Sequence, residues 1–186
     1  MAKTYKAKIL GTEGNEMQTG RVRLSFPHLF EKYEKSDKYQ CALLIDKEDK
    51  ETIGVLKKAI EAAKELGKTT KWGGKIPKDL DSPIHDGDKS EYDGYEDNYY
   101  ISAKSTRQPK VTDETGEEIF DQDDIYAGCY VRAVVKFLPY DNSGKGVCCI
   151  LERIQKVDDG DPFGGSKGSD FEDEDDEDDD DDDLGL

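Results

Sequence analysis

Apolar and polar residues alternate with a period of two through much of the first 157 residues. A chain that alternates so often buries its apolar set only by forming strands whose two faces meet different surroundings. Residues 20–26 (Gly-Arg-Val-Arg-Leu-Ser-Phe) set Val22, Leu24 and Phe26 against Arg21, Arg23 and Ser25, and Pro27 is expected to end that strand. Residues 38–46, 98–104 and 129–138 read as further strands, residues 145–157 as a long last one, and residues 5–10 as a short first one. Asp113, Glu114, Thr115 and Gly116 have the chemistry of a hairpin turn joining Lys110 and Val111 to residues 118–120.

One segment departs from the alternation. Between Glu48 and Leu66, the residues Ile53, Leu56, Ile60 and Ala63 recur at helical spacing, Asp46 and Asp49 offer N-terminal caps, and Gly67 is expected to close the helix. Gly54 weakens its first turns by about 1 kcal/mol relative to Ala. From Gly67 to Asp97 the chain is rich in Gly, Pro, Asp and Lys, with Trp72, Tyr92 and Tyr95 interspersed, and a loop of that length is usually functional or mobile. Five to seven antiparallel strands with one amphipathic helix predict a mainly β fold. An OB-like Greek-key barrel fits better than a sandwich, because the helix can plug one barrel end.

Charge divides the chain. Residues 158–186 hold 16 of the 44 acids and a single base, Lys167, for a net charge of −15, whereas residues 1–157 are nearly balanced at −2. Like charges in such density, with almost no apolar surface to bury, predict a disordered acidic C-terminal tail following one domain over residues 1–157. No apolar run approaches the ~18 residues of a membrane span, and the N-terminus lacks an apolar leader stretch, so a cytoplasmic location is expected. The cysteines, Cys41, Cys129, Cys148 and Cys149, form no Cys-x-x-Cys pair and read as reduced core thiols. Neither a metal nor a cofactor is expected.

The strand faces turned away from the core carry the candidate chemistry. Tyr130, Arg132 and Lys136 share one such face, Tyr100 and Lys104 another, and the chain continues through Arg107 to Lys110. Cations neutralise phosphates, and flat rings give unpaired bases a stacking surface worth ~1–3 kcal/mol per base whatever the base. With Arg21, Arg23 and Trp72, these residues are expected to converge on one cationic, ring-lined furrow. The bland reading is that strands turn Lys and Arg outward for solubility and to blunt edges. A metal-dependent nuclease built on His85, Asp86 and Asp88, or on Asp121, Asp123 and Asp124, is a weaker reading, since acids in turns are ordinary solvated residues. An acidic DNA mimic or histone-like decoy acting on a host protein is the alternative from another class. No nucleophile elbow or phosphate-cradling loop is present, and the chain reads as a non-enzyme.

Four segments carry a resemblance: residues 21–30 (Arg-Val-Arg-Leu-Ser-Phe-Pro-His-Leu-Phe), 103–109 (Ala-Lys-Ser-Thr-Arg-Gln-Pro), 126–133 (Tyr-Ala-Gly-Cys-Tyr-Val-Arg-Ala) and 154–165 (Ile-Gln-Lys-Val-Asp-Asp-Gly-Asp-Pro-Phe-Gly-Gly). In this order they resemble a family of bacteriophage single-stranded-DNA-binding proteins. The resemblance implies an OB-fold core, binding of single-stranded DNA without strong sequence preference, and a role in phage replication or recombination in the host cytoplasm. It further implies an acidic tail that contacts replication or recombination proteins, here through Asp178, Asp179, Asp180, Asp181, Asp182, Asp183, Leu184 and Leu186. The tip departs from the apolar aromatic pair that ends the better-known bacterial proteins of this function. A barrel with an exposed strand edge also offers a route to a homo-oligomer.

Overall fold

The strands pair into a circuit that closes on itself. In the computed structural model, which describes residues 5–163, the elements are β1 (Lys8–Leu10), β2 (Glu16–Gln18), β3 (Val22–Tyr33), β4 (Lys38–Asp46), α1 (Lys50–Thr70), β5 (Ile84–Asp86), β6 (Asn98–Ser105), β7 (Lys110–Thr112), β8 (Tyr130–Asp141) and β9 (Lys145–Asp158). β3 pairs with β4, β4 with β6, β6 with β9, β9 with β8, and β8 again with β3. Only the β6–β9 seam of this circuit is parallel, and it is short, with Lys104 opposite Ile150. A five-stranded, partly open barrel of this kind is the OB architecture. β1 and β2 extend the sheet beyond β8, β5 lines β6, and β7 runs parallel to β9.

Nine strands are present among the described residues, against an expectation of five to seven, and two pairings are parallel where all were expected antiparallel. The additions are β2 and β5, each three residues long, too short for alternation to register. The hairpin around Asp113 forms with β7 as one arm and a lone bridge from Thr112 to Glu118 as the other. The Asp113 carboxylate accepts the backbone N–H groups of Thr115 at 2.9 Å and Glu117 at 3.0 Å, which fixes the turn.

The odd-numbered residues of the β8 segment, Cys129, Val131, Ala133, Val135 and Phe137, all point into the core. The core also receives Ile53, Leu56, Ile60 and Ala63 from α1, which packs chiefly on β8. Asp49 caps the helix by accepting the Thr52 N–H at 3.1 Å. Gly67 does not end it: the helix runs on to Thr70, and Gly67 lies where α1 meets the barrel wall. A Cβ there would stand 2.6 Å from Pro139 Cβ and 2.7 Å from the Trp72 ring. This glycine is required by close approach, not by termination.

Pro27 does not end β3 either. Pairing with β4 shifts register between Ser25 and His28, and Phe26 adopts a φ of 46° inside that bulge. A bulge tolerates the missing N–H of proline and bends the strand, so β3 continues to Tyr33. The same turn of backbone takes Phe26 out of the core set it shares by alternation with Val22 and Leu24. Its ring packs instead on the outer side of the barrel, in a second cluster built on Ala42, Leu44 and Tyr95 with Tyr92, Tyr100 and Phe163.

The boundary expected between residues 157 and 158 falls one residue inside the end of β9. Beyond it, the Tyr126 hydroxyl donates to Asp159 at 2.8 Å, Phe163 N–H donates to the Ala127 carbonyl at 3.2 Å, and the Phe163 ring joins the outer cluster. The remainder of the expected tail, with the tip residues 178–186, lies outside the described residues. Within them, no helix is long and apolar enough to cross a membrane.

Candidate functional site

β4 is buried on both faces from Gln40 to Ile45, which an ordinary half-exposed strand is not. Cys41, Leu43 and Ile45 face the main core; Ala42 and Leu44, opposite Ser102 and Tyr100 on β6, face outward and need a second cover. That cover is the loop between β5 and β6. Lys47 Nζ clamps its start through Asp86 at 2.8 Å and Asp88 at 2.6 Å, and the other Asp88 oxygen accepts the Asp97 N–H at 2.8 Å. The ammonium and the backbone N–H groups hold both carboxyls below their usual pKa range. Tyr95 is driven into the sheet, where its hydroxyl donates to Ser25 Oγ at 2.8 Å. Burial raises its pKa, so the phenol stays neutral.

Beside this cover runs a cleft of about 1030 Å³ across the outer faces of β6 and β9. One wall is aromatic: Tyr92, Tyr95 and Tyr100, with His85 tilted 30° against Tyr100 at a centroid distance of 5.0 Å. Tyr95 meets Tyr100 edge-on at 5.1 Å, so each ring is braced by the next and loses little freedom when something stacks on it. Lys38, Lys104 and Arg107 line the cleft as well. None of the three is ion-paired with a carboxylate among the described residues. Burial, and then the charge of Lys38, press the Lys104 pKa down, and an anion in the cleft would relieve both cations. Burial also lowers the His85 pKa. Cys148, expected in the core, borders the cleft, while Cys41, Cys129 and Cys149 are buried free thiols.

The expected convergence of ten residues on one furrow is not met. Tyr100, Lys104 and Arg107 line the cleft. Lys110 and Arg132 lie in a separate hollow on the outer side of β7, β9 and β8. Lys136 stands opposite Glu16 on β2 and close to Glu152. Arg21, Arg23 and Tyr130 hold the segment after β9: Arg21 stacks on the Tyr130 ring at 3.8 Å and reaches Asp158 at 3.2 Å, and Arg23 donates to the carbonyls of Gly128 and Asp161. Arg23 also covers the Phe163 ring at 4.2 Å. Trp72 is buried, with its indole N–H on the Tyr140 carbonyl at 3.2 Å, and offers no stacking surface.

Alternation names which side a residue faces but not which part of a closed barrel that side belongs to, so on that signal outward cations from different strands fall into one group. Four further cleft residues escape that reading for another reason: Tyr92 and Tyr95 stay open between core and groove, His85 enters only the nuclease alternative, and Lys38 does not stand out. Tyr92 and Tyr95 sit in a loop, His85 on a three-residue strand and Lys38 at a strand end, all without periodicity, although the unbroken apolar run from Cys41 to Ile45 is a signal that something must cover the outer face of β4. Among the described residues no three His, Cys, Asp or Glu side chains are grouped to hold a metal. Asp86 and Asp88 are engaged by Lys47, and Asp121 caps a turn through the Asp123 N–H at 2.9 Å.

Comparison with known proteins places this geometry in context. The family model described as the ssDNA-binding protein of Enterobacter phage Enc34 matches residues 15–184. Protein p50 of Acyrthosiphon pisum secondary endosymbiont phage 1 is 38% identical over 164 residues, 81% of this chain and 87% of its own length. The fold is similar to that of the single-stranded DNA-binding protein from bacteriophage Enc34, with a TM-score of 0.68 at 30% identity over 89% of this chain and 95% of that one. Against the same phage protein in complex with ssDNA the TM-score is 0.69, at 28% identity over 88% of this chain and all 100% of the other. The single-stranded DNA-binding protein gp2.5 of bacteriophage T7 shares the fold alone, with a TM-score of 0.55 at 15% identity over 82% of this chain and 96% of that one.

Proposed function

The chain belongs to the family of the Enterobacter phage Enc34 ssDNA-binding protein, and on that premise we propose that it binds single-stranded DNA without strong sequence preference and coats it during phage replication or recombination in the host cytoplasm. The observation that carries this reading is the cleft, where a braced aromatic wall stands beside three cations that no carboxylate pairs with among the described residues. It lies across β6 and its neighbour β9, bordering the β4–β6 face on which OB folds take oligonucleotides. Stacking on Tyr100 and its neighbours is indifferent to base identity, and Lys38, Lys104 and Arg107 read only phosphate, so neither source of affinity selects a sequence. The role is binding rather than catalysis.

The acidic C-terminal segment serves this function in two ways. It competes with DNA for the same cations, since a tethered anion reaches a millimolar effective concentration, and its tip, residues 178–186, recruits replication or recombination proteins. Arg21, Arg23 and Tyr130 hold its root, so the last described residue, Phe163, lies on the edge of the aromatic cluster. The test compares the full chain with a protein ending at Phe163, titrated with labelled single-stranded and duplex oligonucleotides. At low salt the shortened protein binds both on the order of 10-fold more tightly, and the gap closes near 1 M salt, where the Debye length is about 3 Å. Equal affinities at low salt retire the competitor, and no single-stranded binding by either protein retires the cleft.

A further inference from the structure

A second cationic surface lies outside the cleft. Lys8 on β1 stands directly opposite Gln18 on β2, Gln18 opposite Val134 on β8, Val134 opposite Arg153 on β9, and Arg153 opposite Lys110 on β7. Directly opposed residues project to the same side of a sheet, so this row spans five strands, about 19 Å at the usual strand spacing. In the neighbouring row Arg132 stands opposite Gln155 and Gln155 opposite Thr112. From Gln18 to Lys110 the two rows wall a hollow of about 190 Å³, and Lys8 continues the first row beyond it.

Two features suit this hollow to an anion. Like charges directly opposed weaken a sheet, yet Lys110 faces Arg153, and neither they nor Lys8 and Arg132 are ion-paired with a carboxylate among the described residues. Glu152, beside Arg153 in sequence, lies close to Glu16 and feels the charges of Lys136 and Arg153, but forms an ion pair with neither. Arg132 is also aimed: its Nε donates to Gln155 Oε1 at 2.6 Å, and Gln155 Nε2 in turn donates to the Asp113 carbonyl at 2.9 Å. With Nε engaged, the terminal amino groups of the guanidinium remain to serve a ligand, as in an arginine built to hold phosphate.

We propose that this face is a second contact for the nucleic-acid backbone, holding phosphates of the strand after it leaves the cleft. The inference rests on the cleft being the primary site. The connection is continuous in the chain: β6 leads into β7 through residues 106–109, so Lys104, Arg107 and Lys110 follow one another from cleft to hollow. Along β9, Ile150 faces Lys104 and Arg153 faces Lys110, three residues or about 10 Å apart. Phosphate contacts of this kind add affinity and salt dependence without sequence preference.

The test uses the full chain, with Lys110→Ala/Arg153→Ala and Arg153→Lys variants, and two oligo(dT) lengths. One length lies at the low end of the ~4–16-nucleotide range of OB sites, the other at about twice its upper end. The double variant binds the long oligonucleotide roughly 10-fold more weakly at low salt, and its log–log salt slope falls by about 1.4 for two lost contacts on a single strand. Its affinity for the short one is unchanged, and Arg153→Lys retains most of the long-strand affinity. Unchanged affinity for the long strand, or an equal loss at both lengths, overturns the proposal. If the unaltered protein fails to bind the short oligonucleotide, the cleft reading fails instead. If removing residues 164–186 abolishes the long-strand difference, the hollow holds the protein's own acidic segment, and the proposal is overturned in that way.

Discussion

His85 shows how much one side chain's surroundings decide. Burial beside Tyr100 lowers its pKa below the ordinary value of 6.5, so in the free protein the ring is neutral at pH 7. For folding, the unfolded chain binds the proton more readily, so this residue's contribution to stability is full above about pH 6.5 and is lost as the pH falls through the lower folded value. For binding the sign reverses. Phosphates in the cleft favour the imidazolium, so association takes up a proton and affinity rises from pH 7.5 to pH 5.5. Titration across that range should show the rise for the unaltered protein, with a salt slope steeper by about 0.7 at the acid end, and a flat profile for His85→Gln. An identical pH profile in the variant contradicts the assignment. Nothing in the sequence around His85 separates this role from that of the carboxylates beside it. The separation comes from Lys47, 38 positions earlier in the chain, which engages Asp86 and Asp88.

At the level of elements, most strands and the helix were legible because each buries one face and exposes the other, which is what periodicity reports. The exceptions share a physical cause: a residue was read for its local propensity when a long-range contact decided its role. Gly67 reads as a helix stop, but Pro139 and Trp72 leave no room for a side chain there, and the helix passes through. Pro27 reads as a strand stop, but a bulge absorbs its missing N–H. Gly67→Ala separates the two readings of that glycine. Overpacking costs ~1–3 kcal/mol and the gain in helix propensity offsets up to about 1. A net loss lowers the melting temperature by roughly 2–4 °C per kcal/mol for a domain of this size. A raised melting temperature in calorimetry would show that α1 is not pressed against β8 at that point.

Across the whole molecule, charge organises the surface in a way no single strand reveals. The residues up to 157 are close to neutral, yet cations without carboxylate partners gather in the cleft and in the hollow beside it, while Arg21 and Arg23 are occupied in holding the root of the acidic segment. A sign imbalance between body and tail was plain in the sequence; its division into two surfaces and an anchor required the closure of the barrel. The central claim is that bases stack on the aromatic wall between β5 and β6. Photocrosslinking of an oligonucleotide carrying 5-iodouracil, followed by peptide mass spectrometry, tests it most directly. The account predicts adducts at Tyr92, Tyr100 or His85, lost on competition with unlabelled single strand. Adducts confined to Tyr126 and Tyr130, which pack on the root segment and do not line the cleft, would contradict it.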